Sequence, residues 1–144
     1  MDKPFVVENA RERARLAALV ERLTDKELRL PLKAGWTIAA SLAHLAFWDQ
    51  WSLVRLRRWK LSGVAASPVD LDTVNDTFLP FSLALEPRVA ATMAVSTAEE
   101  VDRELEEISD ELIRAIERLG DRFRLYRAIH RKLHLDEIEA ALRK

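Results

Sequence analysis

The sequence predicts an all-α fold, a four-helix bundle with a long crossover between its second and third helices. Three observations carry that expectation. Only three Gly and five Pro fall within 144 residues, so regular structure is seldom interrupted. Apolar residues recur at spacings of three and four along four long stretches, the period that gives a helix one stripe to bury. Three of the prolines, Pro68, Pro80 and Pro87, gather in one segment, residues 63 to 88, which reads as the irregular connection. A chain of this length fits one domain, residues 1–144, with enough material for its own core.

The elements follow in order. Residues 8 to 23, ENARERARLAALVERL, form the first amphipathic helix, with Ala10, Ala14, Ala17 and Val20 on its apolar side. Residues 24 to 36 hold Pro31 and Gly35 and read as a loop containing one helical turn. Thr37 caps the second helix, TIAASLAHLAFWDQWSLVRLRRWKL, which ends near Ser62 and Gly63. Within the crossover a short helix is expected over residues 71 to 84, capped by Asp70 or Asp72. Pro87 suits the first turn of the third helix, whose stripe is Val89, Met93, Thr97, Val101, Leu105 and Ile108. Ser109 restarts a short continuation, DELIRAIERL, that stops at Gly120. The fourth helix is expected from Phe123 or Arg124 to about Leu142. A long crossover also allows neighbouring helices to run parallel, so a simple up-and-down order is not required.

Charge and composition narrow the function classes. A formal net charge of −1 gives no general attraction to nucleic acid or anionic membranes, so neither partner is expected. The basic run VRLRRWK, with Arg55, Arg57, Arg58 and Lys60, reads as the solvated C-terminal end of a helix, where cations are favourable. Eight acids against one base between Glu99 and Glu111 read in the same way as solvated faces. The absence of cysteine excludes disulfides, thiolate metal sites and a cysteine nucleophile, so any thiol chemistry needs a cosubstrate. No stretch approaches the roughly 20 apolar residues of a membrane span, and a cytoplasmic protein is expected.

The chemistry-bearing residues are few. His130 and His134 stand four apart on the fourth helix, which sets both rings on one face within reach of one ion. Glu137 extends that face and is placed to orient a ring or to move a proton. His44 lies on the second helix with Ala40, Trp48 and Trp51 on its face, an inward-looking setting that suits either a hydrogen-bonded core histidine or a ligand. Asn75, in the crossover, is a candidate polar lining residue, or simply a helix-starting turn residue. The HExxH zinc motif, paired Glu-x-x-His motifs and a glycine-rich phosphate loop are all absent.

The segments GWTIAASLAHLAFWDQW and RAIHRKLHLDEIEAAL together resemble the DinB-like superfamily of four-helix metal-binding proteins. The resemblance covers essentially the whole chain. It implies a divalent metal ion held by His44, His130 and His134, with a coordination position left open for water or substrate. Imidazole suits Zn, Ni, Fe or Cu alike, so the ion itself stays open. It further implies a small-molecule substrate and, by analogy with members that use bacillithiol or mycothiol, including a mycothiol-dependent maleylpyruvate isomerase, a low-molecular-weight thiol cosubstrate. Hydrolysis is the other chemistry such a site supports. A noncatalytic metal-binding or stress-response bundle acting through protein partners is the alternative, and a homodimer is expected from the resemblance alone. Trp48, Trp51 and Asn75 are the expected pocket residues. One departure stands out: many members carry Gln three residues after the last histidine, where this chain has Glu137.

Overall fold

The computed structural model describes residues 2–144, and it contains helices and no β-strand among them. Helix α1 runs Pro4–Arg22, with proline in the first turn, where its missing amide hydrogen costs nothing. It begins four residues earlier than the apolar spacing indicates, because Phe5 is buried and anchors the extra turn. The single turn α2, Asp25–Leu28, closes a reciprocal cap in which Thr24 accepts from Glu27 N–H and the Glu27 carboxylate accepts from Thr24 N–H. Helix α3, Ile38–Ser62, is capped by the Thr37 hydroxyl at 3.0 Å from Ala40 N. Helix α4, Leu71–Ala84, takes Asp70 as its cap, and α5, Pro87–Glu106, takes Glu86. Helix α6, Asp110–Leu119, starts on Ser109 and stops on Gly120, whose φ of 83° is the left-handed conformation glycine adopts freely.

The fourth long helix departs from the sequence expectation. It begins at Arg127, as α8, Arg127–Leu142, after a separate turn α7, Arg122–Leu125. Tyr126, at φ −97° and ψ 74°, breaks the ladder between them. Two backbone groups there are satisfied from a distant helix instead. The Asn9 side chain donates to Leu125 O at 2.8 Å and accepts from Ala128 N–H at 2.8 Å. A break maintained by a residue more than a hundred positions away has no local signature.

Printed contacts fix the helix directions. Arg88 of α5 reaches Val20 O and Leu23 O at the end of α1, while Lys3 reaches Glu106 O, so α1 and α5 are antiparallel. Asn9 meets the start of α8 and Arg15 meets Asp136 and Glu139 beyond it, so α1 and α8 run together. His44 faces His130 while Ser52 faces Arg124, so α3 opposes α8. By the same reckoning α3 and α5 are parallel, the arrangement that the connection through α4 permits. One apolar cluster gathers Leu16, Leu19, Leu42, Leu45, Ala94 and Leu135, and a second gathers Phe5, Leu53, Leu56, Leu105 and Ile116. Full burial of each large aliphatic side chain contributes about 1.5–3 kcal/mol.

Between the two clusters lies a polar layer. Asp49 of α3 accepts from Arg127 Nε at 2.8 Å and from Arg131 Nη2 at 3.2 Å. Asp102 of α5 accepts both Nη1 and Nη2 of Arg131, at 2.9 and 2.8 Å, and Arg13 of α1 at 2.7 Å. Asp49, Asp102, Arg127 and Arg131 are all buried, so each charge depends on its partners.

Substituting Asn9→Ala is expected to lower stability by about 2–4 kcal/mol, because it leaves the buried Leu125 carbonyl and Ala128 amide unpaired. Urea denaturation followed by circular dichroism checks this, and a loss below about 1 kcal/mol, the scale of one ordinary hydrogen bond, would mean that those groups find other partners.

Candidate metal centre

Helix α3 presents His44 one turn and a half before Asp49, and α8 presents His130 and His134 on the face beside Arg127 and Arg131. Because Asp49 bridges both arginines, the two helices are locked in a register that brings the three imidazoles together. His44 Nε2 lies 3.0 Å from His130 Nε2, and His134 Nε2 lies 3.1 Å from the same atom. One nitrogen of each ring lies within 4.8 Å of the others.

The protonation states follow from burial. His44 is pushed down to about 4, chiefly by desolvation, with His134 and Arg127 adding to it. Burial pushes His130 down to about 2, reinforced by Arg127, His134, His44 and Arg131. His134 is also lowered by burial, against an opposing pull from Glu137. At neutral pH all three rings are therefore uncharged, the form that ligates metal. Among the arginines, burial works against the charge of both. Arg131, with two carboxylates, still ends above its usual value, whereas Arg127, with one, ends below it.

Three neutral imidazoles cannot satisfy one another in this arrangement. His130 Nε2 has either one lone pair or one hydrogen to offer, yet it faces two nitrogens at hydrogen-bonding distance. His44 Nδ1 and His134 Nδ1 are buried without a hydrogen-bond partner. A cation resolves the conflict among the Nε2 atoms by accepting all three lone pairs. Ligands each held at about 2.0–2.1 Å from one ion sit at about the separations observed. The residues present thus fit a divalent metal.

The centre opens into a cleft of about 970 Å³ between the loop before α3, α4 and α8. Trp48 donates from Nε1 to Asn75 Oδ1 at 2.8 Å, and both residues line this cleft. Asn75 lies inside α4, not in a turn ahead of it. Trp36, which the sequence reading did not single out, packs edge-on against His44 with ring centroids 5.4 Å apart. The loop that carries it holds Ala34 at φ 56°, a left-handed conformation that costs a non-glycine residue about 1 kcal/mol. Ser41, one turn before His44, is buried to within 4% and lines the cleft. Glu137 also lines it, with Oε2 3.7 Å from His134 Nδ1, on the far side of that ring from Nε2. Trp51 is placed differently from its expected position. Its ring packs at a tilt against Trp48 and Phe47, and it lines a second groove instead of the cleft.

A family model of the DinB superfamily matches residues 8–138, and the chain belongs to that superfamily. No curated protein and no solved structure matches it. No helix of the described residues is long and apolar enough to cross a membrane.

The lowered histidines make a pH prediction whose sign is fixed. Between the usual value of 6.5 and about 4, the unfolded chain takes up protons that folded His44 and His130 refuse. Acidification through that window therefore destabilises the metal-free protein, while above pH 7.5 these groups contribute no slope. Thermal unfolding of metal-free wild type and His130→Ala between pH 7.5 and 5 checks it. The variant is expected to show the shallower decline, and parallel curves would contradict burial of neutral imidazoles.

Proposed function

We propose that this member of the DinB superfamily is a divalent-metal-dependent enzyme acting on a small molecule at His44, His130 and His134, by thiol transfer or hydrolysis. The observation that carries this reading is the convergence of three neutral Nε2 atoms at the wall of an open, partly polar cleft. A structural metal site is closed by four protein ligands, whereas three leave a position for an exogenous group. A divalent ion bound there supplies Lewis-acid chemistry, lowering the pKa of a thiol or a water. With no cysteine in the chain, the sulfur of a thiol reaction comes from a cosubstrate.

The chain's own residues have separable roles in this reading. Glu137 stands behind His134, 3.7 Å from Nδ1, one small side-chain movement short of a hydrogen bond that would orient the ring and fix its tautomer, a role better matched to its position than proton transfer in the cleft. Asn75 spends its carbonyl on Trp48 and keeps its amide hydrogens for an acceptor on a bound molecule. Burial keeps the His44 and His130 imidazoles neutral and therefore free to ligate, and the nearby charge of buried Arg127 reinforces it. The noncatalytic alternative has one observation in its favour: the ligands come from α3 and α8, so an ion also staples two antiparallel helices.

Three measurements test these readings. Elemental analysis of carefully purified protein is expected to give about one divalent ion per chain in wild type and a loss in His44→Ala and His134→Ala; equal metal in all three rules out the triad. Glu137→Gln, which restores the amide common in the family, is expected to change metal affinity by about 10-fold or more if the carboxylate orients His134. Metal-loaded and metal-stripped protein assayed with a panel of low-molecular-weight thiols and a chlorinated aromatic electrophile separates enzyme from module, silence across the panel favouring the module.

A further inference from the structure

Helix α3 has a second concave face, turned away from the histidines. A groove of about 950 Å³ runs between α3, α4 and α5, within the size range of small-molecule sites. Ala43 and Ala46 are among its lining residues, with Phe47, Trp51, Phe78 and Phe81. Phe47 and Phe78 pack at 4.7 Å between centroids, while Phe81 is 67% exposed and Met93 41% exposed. Large apolar side chains left in water around one concavity mark a binding surface in a soluble protein.

Charge selects the occupant. The side chains lining the groove include two cations, Arg55 and Arg58, and no carboxylate, although the chain carries 24 acids against 23 Lys and Arg. Neither arginine has a carboxylate partner among the described residues, in contrast to Arg57, which lies 3.8 Å from Glu104. The Arg55 guanidinium carbon sits 5.7 Å from the rings of both Trp51 and Trp59, an arrangement that steadies the cation and leaves its N–H edge free. Two copies facing each other through this groove would bring like charges together without an acid between them. A bilayer presents a flat surface, whereas these residues line a concave groove. The geometry points to a long-chain carboxylate, a free fatty acid, with its chain against Phe47, Phe78, Phe81 and Met93 and its head group at Arg55 and Arg58. This site is separate from the metal centre and does not depend on it.

Dodecanoate, titrated below its micelle concentration and followed by calorimetry and tryptophan fluorescence, is the probe, with dodecanol as its uncharged comparator. One saturable site per chain is expected, unchanged in His44→Ala. Arg55→Met with Arg58→Met is expected to weaken dodecanoate about tenfold or more while leaving dodecanol unaffected, as loss of charge-assisted hydrogen bonds requires. Arg58 is exposed, so Arg58→Gln alone leaves packing intact and is still expected to weaken dodecanoate by about threefold, the contribution of an exposed ion pair. Absence of saturable binding, or equal losses for acid and alcohol in the arginine variants, would overturn the proposal. So would light scattering that finds a dimer dissociated by Phe81→Asp and indifferent to dodecanoate, or co-sedimentation with phosphatidylglycerol vesicles that dodecanoate does not displace.

Discussion

Arg131 is fully buried where α1, α3, α5 and α8 meet, and the rest of the molecule is arranged to keep its charge paired. It hydrogen-bonds Asp49, both oxygens of Asp102 and the Asn9 carbonyl. Removing one partner from such a network leaves an uncompensated charge in low dielectric, at a cost of about 3–5 kcal/mol. Hydrophobic contacts tolerate small slides between helices. A guanidinium held by two carboxylates from two different helices does not, so this layer sets register where the apolar clusters set only proximity.

The candidate metal centre inherits that register. Arg127 and Arg131 are one turn apart on α8, and so are His130 and His134, on the adjoining face. Fixing the arginines against Asp49 of α3 therefore fixes the histidines against His44, five residues earlier on that helix. The nitrogens meet at 3.0 and 3.1 Å because a salt-bridged layer next to them determines where they stand. Burial is the main cause that keeps the imidazoles in their ligating form, and the layer adds to it, Arg127 at His44 and both arginines at His130.

Much of this was legible in the sequence wherever the cause was local. Thr37, Asp70, Ser109 and Gly120 mark helix ends because a side chain or a permissive backbone acts within three residues of itself. The histidine pair on α8 is a matter of helical period alone. The buried ion layer also leaves a trace in the sequence: Arg131 interrupts the stripe of Ala128, Leu135 and Ile138, as Asp102 interrupts that of Ala98 and Leu105. A charge inside an apolar stripe implies a partner of opposite sign in another stripe. The start of α8 left no such trace, since Asn9 alone completes the broken ladder.

What the sequence by itself determined is the set of helices, their caps and the three residue types able to share an ion, because these follow from periodicity and short-range hydrogen bonding. The tertiary structure alone decided which faces meet. It gave Trp48 and Trp51, whose rings touch, to different concavities, placed Glu137 behind a ring, and left Arg55 and Arg58 without acids at an apolar groove. Those outcomes depend on helix register and on the partner each long side chain reaches, and both are settled between elements distant in sequence, where the buried arginine layer sets the alignment.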